Sequence, residues 1–117
     1  SELEVVAIYS SAEIAVIPSL YEGFGFGAGE AMACGVPLIS TRSGGLKEVI
    51  GDAAIIVESG SSEDIESAVI DLFSDQTKQG LYSRLGRERM ENKFDWLGSA
   101  NQYLKVFEEA KQNFKVI

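Results

Sequence analysis

Two glutamates, Glu22 and Glu30, have seven residues between them and frame the most glycine-rich stretch of the chain. The stretch reads Pro18-Ser-Leu-Tyr-Glu-Gly-Phe-Gly-Phe-Gly-Ala-Gly-Glu-Ala-Met-Ala-Cys-Gly35. Gly23, Gly25, Gly27 and Gly29 free the backbone to bring its N–H groups close to a ligand. A helix starting behind them adds about half a positive charge at its N-terminus. Phosphate or sugar oxygens suit such a loop. Glu30 is expected in the first turn of a helix over Gly29–Cys34. A carboxylate there either stabilises the helix dipole, by about 0.3–1 kcal/mol, or accepts two hydrogen bonds from a vicinal diol such as a ribose. Glu22, between Tyr21 and Gly23, has no comparable structural role.

These residues need elements to hold them. Three short apolar runs, Ile14–Pro18, Pro37–Ser40 and Ala53–Val57, are β-branched and do not alternate cleanly, the pattern of strands buried on both faces. Helix-like stretches at Gly29–Cys34 and Leu46–Ile50 lie between them, the first stopped by Gly35 with Pro37 beyond. The order is α-β-α-β-α-β, then helices only. It predicts an α/β fold: a partial doubly wound domain with three parallel strands, flanking helices and a helical C-terminal tail. The glycine loop then falls at the carboxyl end of a strand, where open parallel sheets bind ligands.

In the tail, Ile65, Ala68, Val69, Leu72 and Phe73 fall on one helical face. Ser61 is its expected N-cap, with Asp64 three residues on as an approximate capping box. A second helix is expected from about Thr77 to Lys93. A third, capped by Asp95, would carry the stripe Tyr103, Val106, Phe107, Ala110 and Phe114. Phe94 and Trp96 read as core anchors, and Cys34 as a small buried residue. The chain, 117 residues long, is read as one domain, with residues 1–60 its α/β part and 61–117 its helical part.

Composition excludes several kinds of chemistry. With no histidine, the chain holds no Ser-His-Asp or Cys-His system of its own and no Cys/His zinc site. No two aspartates stand two apart, so no Asp-x-Asp motif is present, and neither a metal nor a cofactor is expected. The net charge of −8 argues against a nucleic-acid partner. That charge is uneven: residues 1–75 hold 13 acidic and two basic side chains, Arg42 and Lys47, a net −11. Cys34, the single cysteine, fits a reducing compartment. No apolar run approaches the roughly 20 residues of a membrane span and no signal peptide is read at the start, so the expectation is cytoplasmic. Gly23-Phe-Gly-Phe-Gly-Ala28 formally matches a dinucleotide fingerprint, and Arg42 could favour a 2′-phosphate. Five residues before the first glycine, and no acidic residue about 20 on, count against that reading.

Pro18-Ser-x-Tyr-Glu22-Gly-Phe-Gly-(x4)-Glu30-Ala-Met-Ala-x-Gly35-x-Pro37, with Gly44-Gly45-x-x-Glu48, resembles the retaining GT-B glycosyltransferases, specifically the "glycosyl transferases group 1" family. Glu22 and Glu30 match its E-x7-E motif. The resemblance runs from about residue 5 to residue 107, including Phe94-Asp-Trp96. It implies a Rossmann-like fold, with this chain the C-terminal portion of the donor-binding domain. It implies that Glu30 binds the nucleotide ribose and that Glu22, the catalytic candidate, faces the donor sugar. Backbone amides of Phe24, Gly25, Phe26 and Gly27, following Gly23, would contact sugar and phosphate. The family transfers a sugar from a nucleotide diphosphate sugar with retention and without a metal. Phe26-Gly27-Ala28-Gly29 departs from it, being glycine-rich where the family carries bulkier apolar residues. The basic pair that clamps the diphosphate and the N-terminal acceptor domain would lie upstream of residue 1. The expectation is therefore a nucleotide-sugar ligand, an isolated chain without activity, and a homo-oligomer formed through the open sheet edge or the terminal helix. The alternative is a non-catalytic α/β module that binds a nucleotide or a protein.

Overall fold

In a computed structural model of the chain, the described residues are 1–93, 105, 106, 108–110 and 112. The elements run α1 (Glu2–Ser11), β1 (Ala15–Ile17), α2 (Phe26–Ala33), β2 (Leu38–Ser40), α3 (Leu46–Ile50), β3 (Ile55–Ile56), α4 (Ser62–Phe73) and α5 (Gln76–Lys93). The three strands form one parallel sheet in the order β1-β2-β3, with Ala15 opposite Leu38 and Ile39 opposite Ile55. The α/β class and the three parallel strands are as the sequence predicts.

Burial on both faces holds only for β2, the central strand. β1 and β3 are half-buried along their length, because among the described residues each pairs with β2 alone and forms an edge. Side-chain alternation along the strands divides the core. Leu38, Ala15 and Ile17 join Ala28, Ala31, Met32, Leu46 and Ile50 from α2 and α3 on one face. Ile39 and Val16 join Ala68 and Leu72 from α4 on the other. Helix α5 reaches both layers, Leu85 and Met90 packing with the first and Tyr82 with the second.

Several local signals carry through. Ser61 caps α4, its hydroxyl accepting from the Asp64 amide at 3.2 Å. The reciprocal arm of the expected box points elsewhere: the Asp64 carboxylate accepts from the Glu58 amide. Gly35, at φ +73°, follows the end of α2 as a left-handed stop. Helix α5 starts at Gln76, one residue before its expected start. On α4, Ala68 and Leu72 are buried while Phe73 is 52% exposed at the margin of the stripe. Phe94, Asp95, Trp96, Tyr103, Phe107 and Phe114 lie outside the described residues, and Val106 is exposed.

Candidate functional site

All three strands end on one side of the sheet, and the loops that follow them are tied together there. The Thr41 hydroxyl donates to the Ser19 carbonyl at 2.7 Å, joining the loop after β1 to the end of β2. The Gly45 amide donates to the Glu22 carbonyl at 2.6 Å. Ser43 and Ser59 share a hydroxyl–hydroxyl hydrogen bond of 2.7 Å, which joins the loops after β2 and β3. Gly44 and Gly45 are required by contact. Gly44 has φ +58°, and a Cβ on it would overlap the Glu22 carbonyl oxygen; one on Gly45 would overlap the Gly23 carbonyl oxygen.

Glu22 is half-buried and has its own orienting partner, the Ser19 hydroxyl, which donates to its Oε2 at 3.0 Å. A relay therefore runs from buried Thr41 to the Ser19 backbone, and from the Ser19 side chain to the Glu22 carboxylate. Sequence reading missed both hydroxyls. They lie three and nineteen residues from Glu22, and no periodicity joins them.

Helix α2 starts at Phe26, three residues before the expected Gly29. Gly27 and Gly29 are therefore helical, and of the four loop glycines only Gly25 has a positive φ, +89°, as the N-cap. Its missing Cβ matters sterically too, since one would meet Leu46 Cδ2 at 3.1 Å and Val49 Cγ2 at 3.5 Å. Glu30 becomes the fifth residue of the helix rather than a first-turn residue. Charge–dipole stabilisation fades beyond the first turn, so the structural explanation for Glu30 loses force. Among the described residues no side chain caps α2, and the Gly29 amide bonds to the Gly25 carbonyl at 3.0 Å. The preceding amides of Phe26, Gly27 and Ala28 are the orphan donors of a helix start.

Two grooves meet at Glu30, which is exposed. One, of about 240 Å³, is walled by Phe24, Gly25, Phe26, Val49 and Met90. Phe24 and Phe26 lie with ring centroids 4.6 Å apart, tilted by 32°. The other groove, of about 490 Å³ between α1 and α2, is lined by Val5, Val6, Tyr9 and Cys34. Phe24, Gly25, Phe26 and Glu30 are thus brought together. Glu22 lines neither groove, and Gly23, exposed, has nothing within 4 Å of where a Cβ would stand. Cys34 is a free, half-buried thiol at the groove wall rather than a fully buried residue, because it caps the C-terminus of α2 at the surface.

Tyr9 was invisible to sequence reasoning. Its hydroxyl donates to the Gly27 carbonyl at 3.3 Å. Its pKa is raised, first by burial, then by the charges of Glu30 and Cys34. Arg42 is exposed and lies 4.0 Å from Asp52, and Pro18–Gly25 separate β1 from α2. A dinucleotide fingerprint needs a tighter turn at that place.

The family described as "Glycosyl transferases group 1" matches residues 1–92. An MMP alpha-(1->4)-mannosyltransferase of Mycolicibacterium hassiacum is 36% identical over 94% of this chain and 28% of its own length. A D-inositol 3-phosphate glycosyltransferase of Paenarthrobacter aurescens is 36% identical over 92% and 26%. Among solved structures, sucrose-phosphate synthase of Thermosynechococcus elongatus superimposes with a TM-score of 0.88 at 29% identity, covering 95% of this chain and 28% of that one. The C-terminal domain of a group 1 glycosyl transferase from Francisella tularensis gives 0.75 at 31% identity, covering 82% and 50%. The chain spans little more than a quarter of the length of the two curated relatives. Its three-stranded unit is the Rossmann-like fold of GT-B enzymes, and with 92 of its 117 residues matched, the chain belongs to the glycosyl transferases group 1 family.

Proposed function

We propose that this chain is the donor-binding part of a glycosyltransferase that moves a sugar from a nucleotide diphosphate sugar to an acceptor with retention. The observation that carries this reading is the pairing of Glu30 with an uncapped helix start at the carboxyl edge of a parallel sheet. In the proposal, Glu30 accepts hydrogen bonds from the ribose diol. The amides at the start of α2 take sugar or phosphate oxygens. Glu22, aimed by Ser19, faces the donor sugar near the reacting carbon.

The same reading makes residues 1–117 the C-terminal portion of a donor domain and leaves them inactive alone. Among the described residues, no lysine or arginine lines either groove at Glu30. The diphosphate countercharge would come from elsewhere in the parent enzyme. Two missing charge-assisted contacts weaken binding by about 10²- to 10⁴-fold. The acceptor would be held by the N-terminal domain.

Calorimetric titration of the chain with UDP and GDP tests the ribose role. Weak binding that Glu30→Gln reduces about tenfold supports it. Equal affinity in both proteins would refute it, and sugar transfer by the purified 117 residues would refute the inactivity.

A further inference from the structure

Helix α3 has only five residues, too few to be stable by itself. Yet it braces the glycine loop at two points. Its N-cap amide, Gly45, holds the Glu22 carbonyl at 2.6 Å, and its Leu46 and Val49 side chains pack against the left-handed Gly25. The position of α3 therefore sets both ends of the segment between Glu22 and α2.

The C-terminus of α3 is satisfied in full, and by an unusual route. A helix leaves its last four carbonyls without intrahelical donors. Here the Lys47 carbonyl accepts from the Gly51 amide and that of Ile50 from the Ala53 amide, at 2.9 Å. The two between them are taken by one side chain on α5. Arg89 Nε donates to the Val49 carbonyl and Nη2 to the Glu48 carbonyl, each at 2.6 Å. The guanidinium is charge-assisted and sits at the negative end of the helix dipole. Gly51 makes room for it: a Cβ there would overlap the guanidinium carbon. A lysine offers one point of charge where Arg89 supplies a fork to two carbonyls.

We propose that Arg89 is a positioning residue for the donor site: by clamping the Glu48 and Val49 carbonyls it fixes α3, and through α3 it fixes Gly25 and the Glu22 backbone. The claim about nucleotide affinity rests on the function proposed above; the claim about the loop does not.

Amide hydrogen exchange and UDP titration on the full chain separate the two. Arg89→Met keeps the aliphatic stem and removes the fork. Leu72→Ala lowers stability from the opposite face of the sheet, where Leu72 packs with Ile39 and Val57. With the two variants compared at matched global stability, Arg89→Met should lower protection of the Gly29 and Gly45 amides about tenfold more than Leu72→Ala does. UDP should bind it about tenfold more weakly, and Arg89→Lys should recover only part of either loss. Equal protection in the matched variants, or full recovery by lysine, would overturn the positioning role. Absence of UDP binding by the unsubstituted chain would overturn the donor-site reading alone, since the exchange comparison decides Arg89 without ligand.

Discussion

Gly44 lies against Glu22 so closely that a single added carbon would collide with the Glu22 carbonyl oxygen. The loop after β2 thereby sets the backbone height of the first carboxylate, and the neighbouring Gly45 amide locks it with a 2.6 Å hydrogen bond. Gly44→Ala meets this overlap and a φ of +58° together. It should destabilise the chain by about 2–3 kcal/mol, measured by urea unfolding. An unchanged midpoint would show that the two loops are not in contact in solution.

Gly80 is the opposite case. It is exposed within α5, and a Cβ added there would have nothing within 4 Å. Gly80→Ala should stabilise by about 0.5–1 kcal/mol through helix propensity and reduced freedom of the unfolded chain. The same denaturant measurement reads it, and a loss of stability would contradict the helical assignment there.

Ser19→Ala removes the hydroxyl that donates to the Glu22 carboxylate. The bond is part-buried and charge-assisted, so stability should fall by about 1 kcal/mol. In the full-length protein kcat should fall with a smaller change in donor KM, because the proposed function assigns Glu22 to the reacting sugar and Glu30 to the nucleotide. Steady-state kinetics with the intact enzyme would check this. A change confined to KM would reverse the assignment.

Tyr9 supplies a pH prediction. Its folded-state pKa lies above the usual tyrosine value, with burial the main cause and Glu30 next. The folded state therefore holds the phenolic proton more tightly than the unfolded chain. Stability from this group is fully present below about pH 10 and falls as the pH rises through the folded pKa. Tyr9→Phe should flatten the alkaline arm of a stability-against-pH curve. An alkaline arm as steep as in the unsubstituted chain would assign the effect to other groups.

Much of this was legible because it is local. Apolar runs bounded by Gly35, Pro37 and Gly51 give three strands, and the central one is buried as its composition says. Ser61 caps its helix because an N-cap needs only the next three residues. The strand edges were less legible, since β1 and β3 carry the same residue types as β2 and differ in having one strand neighbour among the described residues. Glycines misled in one place. Gly27 and Gly29 look like loop residues but sit in α2, where burial of Ala28, Ala31 and Met32 on the same helix outweighs the weak helix propensity of the glycines. The partners that aim the site were hidden. Thr41, Tyr9 and Arg89 reach it across 22, 18 and 40 residues of sequence, each through a hydrogen bond to backbone that no spacing rule encodes.

The loop around Gly25, with Glu30, is assigned above to a sugar nucleotide. That assignment is tested most directly by a two-dimensional amide NMR titration with UDP-glucose, GDP-mannose, ADP-glucose and NADPH, using Glu30→Ala as control. Shifts are expected at Gly25, Phe26 and Gly27 with one sugar nucleotide, and their loss in the control. Shifts with NADPH alone, or shifts that survive loss of the Glu30 carboxylate, would contradict it.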